Sequence, residues 1–307
     1  MISAKDALKR MILAMLAPVY RVRPAAALSA VYFLKFRRLP NIGAPVVFQE
    51  KLQWLKLYYR QDRYPVCSDK YAVRGYIEAQ GMGRLLNALY GHWDKASDIP
   101  FDELPERFVL KVTHGSGYNI ICRRKSELDR KKAVSELERW RRRKYIECYG
   151  EWFYGVVPPR IVCEALIEGA RPDEAPRDYK VHCFNGRARL IQVDAGRFSA
   201  RHFRNIYDTE WRLTEIALGN LGSDPGAEVL RPPQLAEILL YAEELARPFP
   251  YVRIDFYLAE GRVVFGEMTF TPGAGFSRIR PEKYARLLGN WLSLPQKEAA
   301  LCGSGAR

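Results

Sequence analysis

Arg253 and Asp255 stand two residues apart, and Glu267 and Thr269 repeat that spacing further along. In an extended chain, side chains two apart share a face. Tyr251–Leu258 and Arg262–Thr269 are largely apolar runs joined at Glu260-Gly261, which reads as a hairpin. Pairing those strands would bring Asp255 beside Glu267. Adjacent carboxylates repel unless a cation or proton lies between them. Oxygen donors of this type suit Mg2+ bridging the phosphates of a substrate. Cross-strand charges in solvent are the alternative, and this pair alone leaves both open.

A second group surrounds Lys111. Phe108–Val112 and Ile120–Cys122 are short apolar runs, and Thr113-His-Gly-Ser-Gly-Tyr-Asn119 lies between them. This predicts a hairpin with a flexible tip. Gly115 and Gly117 allow positive φ and close approach to a ligand, and successive N–H groups around Ser116 can cradle an anion. Lys111 adds a point charge. The match to a P-loop is poor, since no Gly-Lys-Ser/Thr follows and no helix opens after the loop. A plain hairpin turn with an exposed lysine is the alternative. Further on, Arg160–Glu168 reads as a buried strand carrying Glu164 and Glu168, although a carboxylate is costly to bury. Asp178–Phe184 and Arg187–Val193 flank Asn185-Gly186, a strong hairpin signal, and Asp178 and Lys180 share a face there.

The remaining stretches supply the frame. Residues 46–60 have helical periodicity through Phe48, Leu52, Leu55 and Tyr59. Ser68 or Asp69 is expected to cap a helix through about Gln80, stopped by Gly81 and Gly83. Residues 126–148 read as a helix capped by Ser126, with acids early and Arg139–Lys144 late, a polarity that suits the helix dipole. Residues 194–212, with Asp194, Arg197, Arg201, His202, Arg204 and Asn205, read as a basic loop over a site, and 214–230 as irregular. Pro232 and Pro233 open a helix through about Ala246.

The 307 residues carry a net charge of +14. Residues 1–40 hold eight Lys/Arg against Asp6, and 123–144 hold eleven against four acids. Such an excess suggests a polyanionic partner. The basic stretches lack regularly interleaved aromatics, so nucleic acid is not expected. The apolar stretches Met11–Ala17 and Ala25–Leu34 are too short to span a bilayer and sit among clustered Lys/Arg. They suit either an interfacial helix on an anionic membrane or a helix packed on the protein's own core. The six cysteines form no Cys-x-x-Cys pair and read as buried reduced thiols of a cytoplasmic protein.

Glu50-Lys-Leu-Gln-Trp54, Asp69-Lys-Tyr-Ala-Val-Arg74, Val109–Gly117, Asp178-Tyr-Lys180 and Gly266-Glu-Met-Thr-Phe270 together resemble the TupA-like ATP-grasp group, associated with teichuronopeptide and capsular polysaccharide synthesis. The stretch from Arg253 through Glu267 to Pro272-Gly273 is similar to the motif of D-alanine–D-alanine ligases. The resemblance implies an α+β fold whose two lobes enclose ATP. The expected divisions are a basic N-terminal segment (1–40), a helical domain (41–104), a small lobe (105–166), a large catalytic lobe (167–293) and a tail (294–307). Lys111 would meet the α-phosphate, and Gly115, Ser116 and Gly117 the β- and γ-phosphates. Glu164, with the backbone of Ala165 and Leu166, would hold adenine, and Glu168 the ribose. Asp255, Glu267 and Thr269 would hold Mg2+, with Mn2+ as the alternative ion. Arg253 would stabilise charge on the transferred group, and Lys180 would contact the phosphate or acyl phosphate. Thr269 departs from the asparagine most ATP-grasp enzymes carry there.

The implied activity is an ATP-dependent carboxylate–amine ligase acting through an acyl phosphate. The implied substrates are the uronic acids of an acidic bacterial surface polysaccharide, or of a lipid-linked saccharide, and an amine or amino acid. The implied place is the cytoplasm or the inner face of the plasma membrane. A sugar kinase or a glycosyltransferase-associated enzyme of polysaccharide synthesis is the rival reading.

Overall fold

Alternation of apolar and polar residues builds two large antiparallel sheets, each covered on one face by a helix and open to a shared cleft on the other, beside a short two-stranded one. The computed structural model describes residues 4–169, 176–196, 202–227 and 229–297, with side chains from residue 11 onward. In chain order the elements are α1 (Ala4–Val22), α2 (Pro24–Phe36), α3 (Phe48–Tyr58), α4 (Arg63–Ser68), α5 (Val73–Ala79), β1 (Leu89–Trp93), β2 (Phe108–Val112), β3 (Asn119–Cys122), α6 (Arg130–Arg141), β4 (Ile161–Ala165), β5 (Asp178–Phe184), β6 (Arg187–Ala195), β7 (Phe203–Tyr207), β8 (Ala217–Leu218), α7 (Leu235–Ala246), β9 (Tyr251–Ala259), β10 (Arg262–Thr269), β11 (Ile279–Arg280) and α8 (Lys283–Trp291).

The smaller sheet runs β1-β4-β2-β3. Phe108, Leu110 and Val112 of β2, with Ile161 and Cys163 of β4, pack into one core with Leu137 of α6. The period of two then turns Lys111 and Glu164 to the opposite face. The larger sheet runs β10-β9-β5-β6-β7. Val252, Ile254 and Phe256 of β9, Val181 and Cys183 of β5, and Ile191 and Val193 of β6 pack with Leu235, Ile238 and Leu245 of α7. Each such side chain contributes about 1.5–3 kcal/mol on burial. The same alternation sends Asp178, Lys180, His182, Arg253 and Asp255 to the cleft face. α3 packs beside α8, where a Cβ on Gly289 would lie 2.1 Å from the Val46 carbonyl oxygen, so glycine is needed for that approach.

Several expectations change. The helix expected over 126–148 spans Arg130–Arg141, and its cap is Asp129, which accepts from the Lys132 N–H at 3.0 Å. Beyond it the Arg143 carbonyl lies 2.8 Å from the His114 ring nitrogen, which takes the place of a helical partner. The helix expected from Ser68 or Asp69 to about Gln80 is shorter, α5 alone, and α4 ends at Ser68, where that helix is expected to begin. Asp69 makes the turn between them by accepting from the Tyr71 and Ala72 N–H groups. The stretch read as a basic loop holds the end of β6 and all of β7, which pair directly (Asp194 opposite Arg204). Residues 197–201, and so Arg197 and Arg201, lie outside the described residues. The N-terminal region read as helical also contributes β1, paired with β4. Cys67, Cys122, Cys148, Cys163 and Cys183 are buried and free, and Cys302 lies outside the described residues.

α2 buries Ala27, Leu28, Val31 and Tyr32. Leu28, Val31 and Tyr32 pack with Cys148 and Phe276, joined by Leu13, Leu16 and Tyr20 of α1. Among the described residues no helix is long and apolar enough to cross a membrane.

Candidate functional site

A cavity of about 650 Å3 separates the open faces of the two sheets. From the smaller sheet it is lined by Lys111, Ser116, Gly117 and Glu164, and from the larger by Lys180, Arg253, Asp255 and Glu267. Gly115 and Gly117 adopt φ of +74° and +78°, so both glycines in the tip take the left-handed conformation that side chains disfavour.

On the small-lobe side, Lys111 Nζ donates to Glu164 Oε2 at 2.6 Å, and Arg74 of α5 reaches Glu164 Oε1 at 3.4 Å. Lys70, from the turn between α4 and α5, donates to the Gly115 carbonyl at 2.7 Å and holds the glycine tip in place. Burial lowers the Lys70 pKa, Glu267 opposes this and neighbouring Lys111 adds to it. Three cations thus gather around one carboxylate beside an N–H-bearing loop, an arrangement suited to a polyphosphate. Ala165, Leu166 and Glu168 do not line the cavity. The Ala165 N–H donates to the Ala88 carbonyl, so it is not open to a base, and its own carbonyl already accepts from Asn87 Nδ2. Glu168 pairs with Arg107 and Arg123 at the far end of the sheet.

On the large-lobe side, Asp255 stands opposite Glu267 in the β9–β10 ladder, as the spacing predicts. Arg253 clamps Asp255 with two hydrogen bonds of 2.6 and 2.7 Å and reaches Glu267 Oε1 at 2.9 Å. Lys180 donates to Asp255 at 2.7 Å and also pairs with Asp178. Burial opposes the charge on Arg253, but Asp255 and Glu267 outweigh it and hold the guanidinium above its ordinary value. Burial likewise opposes the charge on Asp255, and Arg253 with Lys180 outweighs it, so the carboxyl stays below the usual range. Lys180 is held above its ordinary value because Asp255 and Asp178 exceed its burial penalty. For Asp178 burial prevails, and its pKa is pushed up to about 6.

The donor set fits Mg2+, which binds through one or two carboxylates together with substrate phosphates. Asp255 is already balanced by Arg253 and Lys180, whereas the Glu267 side chain is 38% exposed to the cleft. Glu267 is therefore the better placed donor. Thr269 Oγ1 donates to Glu267 Oε1 at 3.1 Å and accepts from Arg253 at 3.1 Å, so in this arrangement it orients Glu267.

Beyond Arg253 the cavity floor is a polar chain, of which the sequence singled out Asp194 and Arg204 but not Tyr251, His182 or Gln192. The Tyr251 hydroxyl is 2.8 Å from His182 Nδ1, and His182 Nε2 is 3.4 Å from Gln192 Oε1. Gln192 Nε2 donates to Asp194, and Arg204 donates to both Asp194 oxygens. Burial drives the His182 pKa down to about 3, with Arg253 adding to the effect, so the imidazole is neutral. A third wall comes from α3. Gln49, Gln53 and Lys56 lie along one helix face and donate to the carbonyls of Ser277, Gly275 and Ala274, at 3.2, 2.9 and 2.9 Å. These donors clasp the Pro272–Ser277 loop that follows β10. The helical periodicity of residues 46–60 and the Glu50–Trp54 motif were the signals for this wall in the sequence.

Two α+β lobes closing on a cleft, with a lysine strand and glycine loop on one side and an Arg-x-Asp and Glu-x-Thr hairpin on the other, define an ATP-grasp fold. The chain belongs to the TupA-like ATP-grasp family, whose profile matches residues 50–293. Similar crystal structures include a D-alanine–D-alanine ligase from Bacillus anthracis, at 18% identity over 67% of this chain and 57% of that one, with a TM-score of 0.37. The D-alanine–D-alanine ligase from Helicobacter pylori is 13% identical over 82% of this chain and 68% of that one (TM-score 0.46). An L-amino acid ligase from Bacillus licheniformis is 14% identical over 87% and 56% (TM-score 0.43). The chain spans a little over half the length of the Bacillus anthracis enzyme. No curated protein matches it.

Proposed function

We propose that this protein is an ATP-dependent carboxylate–amine ligase. The observation that carries the reading is the Lys180–Asp255–Arg253–Glu267 cluster lying across one cleft from Lys111, Lys70 and the glycine tip. Lys111 and Lys70 would neutralise phosphate oxygens, and the N–H groups of Gly115–Gly117 would cover the terminal phosphates. Glu164, held by Lys111 and Arg74, would face the nucleotide. Ala165, Leu166 and Glu168 have no part in this reading. Glu267, with Asp255 behind it, would hold Mg2+ or Mn2+, which offsets the negative charge of the phosphates when bound.

In the reaction a substrate carboxylate oxygen attacks the γ-phosphorus, the bond to the β-phosphate oxygen breaks and ADP leaves. An amine lone pair then attacks the acyl carbon, the carbon–oxygen bond to phosphate breaks, and the amine loses a proton as the amide forms. Arg253 and Lys180 would offset the negative charge that collects on the phosphoryl group and on the acyl oxygen. The floor from Tyr251 to Arg204 and the wall from Phe48 and Gln49 would receive the acceptor. Their hydroxyl, amide and guanidinium groups suit a hydroxylated acidic sugar. The acceptor class is a uronic acid of a surface polysaccharide or its lipid-linked precursor, and the co-substrate is an amine or amino acid. On this reading the protein would work in the cytoplasm, with peripheral access to an anionic membrane.

Calorimetry with ATP, with and without Mg2+, tests the nucleotide site. Lys111→Ala removes a charge-assisted contact worth about 1.5–3 kcal/mol and should weaken ATP binding roughly 10- to 150-fold. Release of ADP that requires both a uronic acid and an amine would support the ligase. A stable phosphorylated sugar formed without any amine would replace it with a kinase.

A further inference from the structure

α1 is apolar on two opposite sides. At about 100° per residue, Leu13, Leu16 and Tyr20 share one side, and these pack against α2 and the Phe276 core. Met11, Ala14, Met15, Pro18, Val19 and Val22 form the other side at i, i+3, i+4, i+7, i+8 and i+11, and all six are exposed. Met11 is 54%, Met15 58%, Val19 39% and Val22 79% exposed, values a helix burying its only apolar face would not show. Phe33 and Leu34 of α2 and Leu39 just after it are exposed as well. Basic groups accompany it in these two helices. Arg21, Arg23, Arg37 and Arg38 are exposed, Arg21 paired with Glu147 and Arg38 with Glu282, and the first forty residues hold a single acid, Asp6.

We propose that the outward side of α1 seats this protein on an anionic lipid bilayer. Apolar side chains entering the acyl boundary, with arginines at headgroup level, are the two components of interfacial binding. The charge selects a bilayer over a second copy of the chain, because two such surfaces brought together would oppose like charges. The inward side of α1 ties the anchor to the body, which would keep the cleft near the membrane surface. The inference rests on this surface and not on the ligase reading.

The test is flotation of the full chain with vesicles of phosphatidylcholine alone and of phosphatidylcholine with an equal part of phosphatidylglycerol. Binding is expected only to the anionic vesicles and should weaken as salt is raised. A variant combining Met11→Ser, Met15→Ser, Val19→Ser and Val22→Ser spares the packed side of α1 and should bind at least about tenfold more weakly. Arg23→Glu with Arg37→Glu should weaken binding to a similar degree. ATP-induced thermal shift should match wild type in both variants, which separates this result from failure of the nucleotide site. Absence of wild-type flotation would overturn the proposal, as would undiminished flotation of the serine variant. A dimer in sedimentation velocity that the serine variant dissolves would assign the surface to a second copy instead.

Discussion

Lys56 is the most informative residue to perturb outside the cleft. Its ammonium is fully buried, donates to the Tyr149 carbonyl at 2.6 Å and the Ala274 carbonyl at 2.9 Å, and lies 4.4 Å from the centre of the Phe276 ring. Burial lowers its pKa to about 7, with Glu151 opposing the shift. Lys56→Met keeps the stem and removes the donors. It leaves two buried carbonyls without that donor, which should cost about 1–3 kcal/mol, a measurable share of a typical stability of about 5–15 kcal/mol. Urea unfolding followed by tryptophan fluorescence measures this directly. The pH dependence provides a second check. With a folded pKa near 7 and an unfolded value near 10.5, the unfolded chain binds more protons between those limits. The Lys56 contribution to stability should therefore rise with pH from about 7 to 10.5, so the gap between wild type and variant should widen there. A loss under about 1 kcal/mol, or a gap that narrows across that window, would refute the clasp as a support of the Pro272–Ser277 loop.

His182 gives a prediction of the same sign in a more acidic window. Its folded pKa near 3 lies below the ordinary 6.5, so its contribution is complete above pH 6.5 and is lost as pH falls toward 3, by up to about 5 kcal/mol. His182→Asn should flatten the acid limb of the stability curve, and an unchanged limb would show that another group controls it. Asp255→Asn keeps the shape of the hairpin but leaves Arg253 and Lys180 without their shared carboxylate. ADP release should fall at least about a hundredfold, measured by coupled assay once an acceptor is in hand, and full turnover would remove Asp255 from the proposed metal and phosphoryl machinery.

The sequence by itself determined the local pieces of this protein. The Asn185-Gly186 and Glu260-Gly261 turns specify two hairpins, and with the period of two they fix which residues share a face. Asp255 opposite Glu267, Lys180 beside Asp178 and Lys111 below a glycine tip were legible for that reason. The family was legible too, because its motifs are strings of neighbours. Helix ends were less so, since Asp129 and Asp69 compete with nearby serines as caps and tertiary contacts decide between them. Only the tertiary structure brought β5 beside β9, and so Lys180 to Asp255. It alone revealed that Arg204, in a stretch with no apolar alternation, lies in a strand opposite Asp194. It also set three polar residues of α3 against the carbonyls of a loop more than two hundred residues away. Glu168 shows the same limit from the other side, because two arginines distant in sequence hold it outside the cleft. Periodicity reports which way a side chain points from its own strand or helix. The partner it meets depends on how separate elements pack, and no local pattern encodes that.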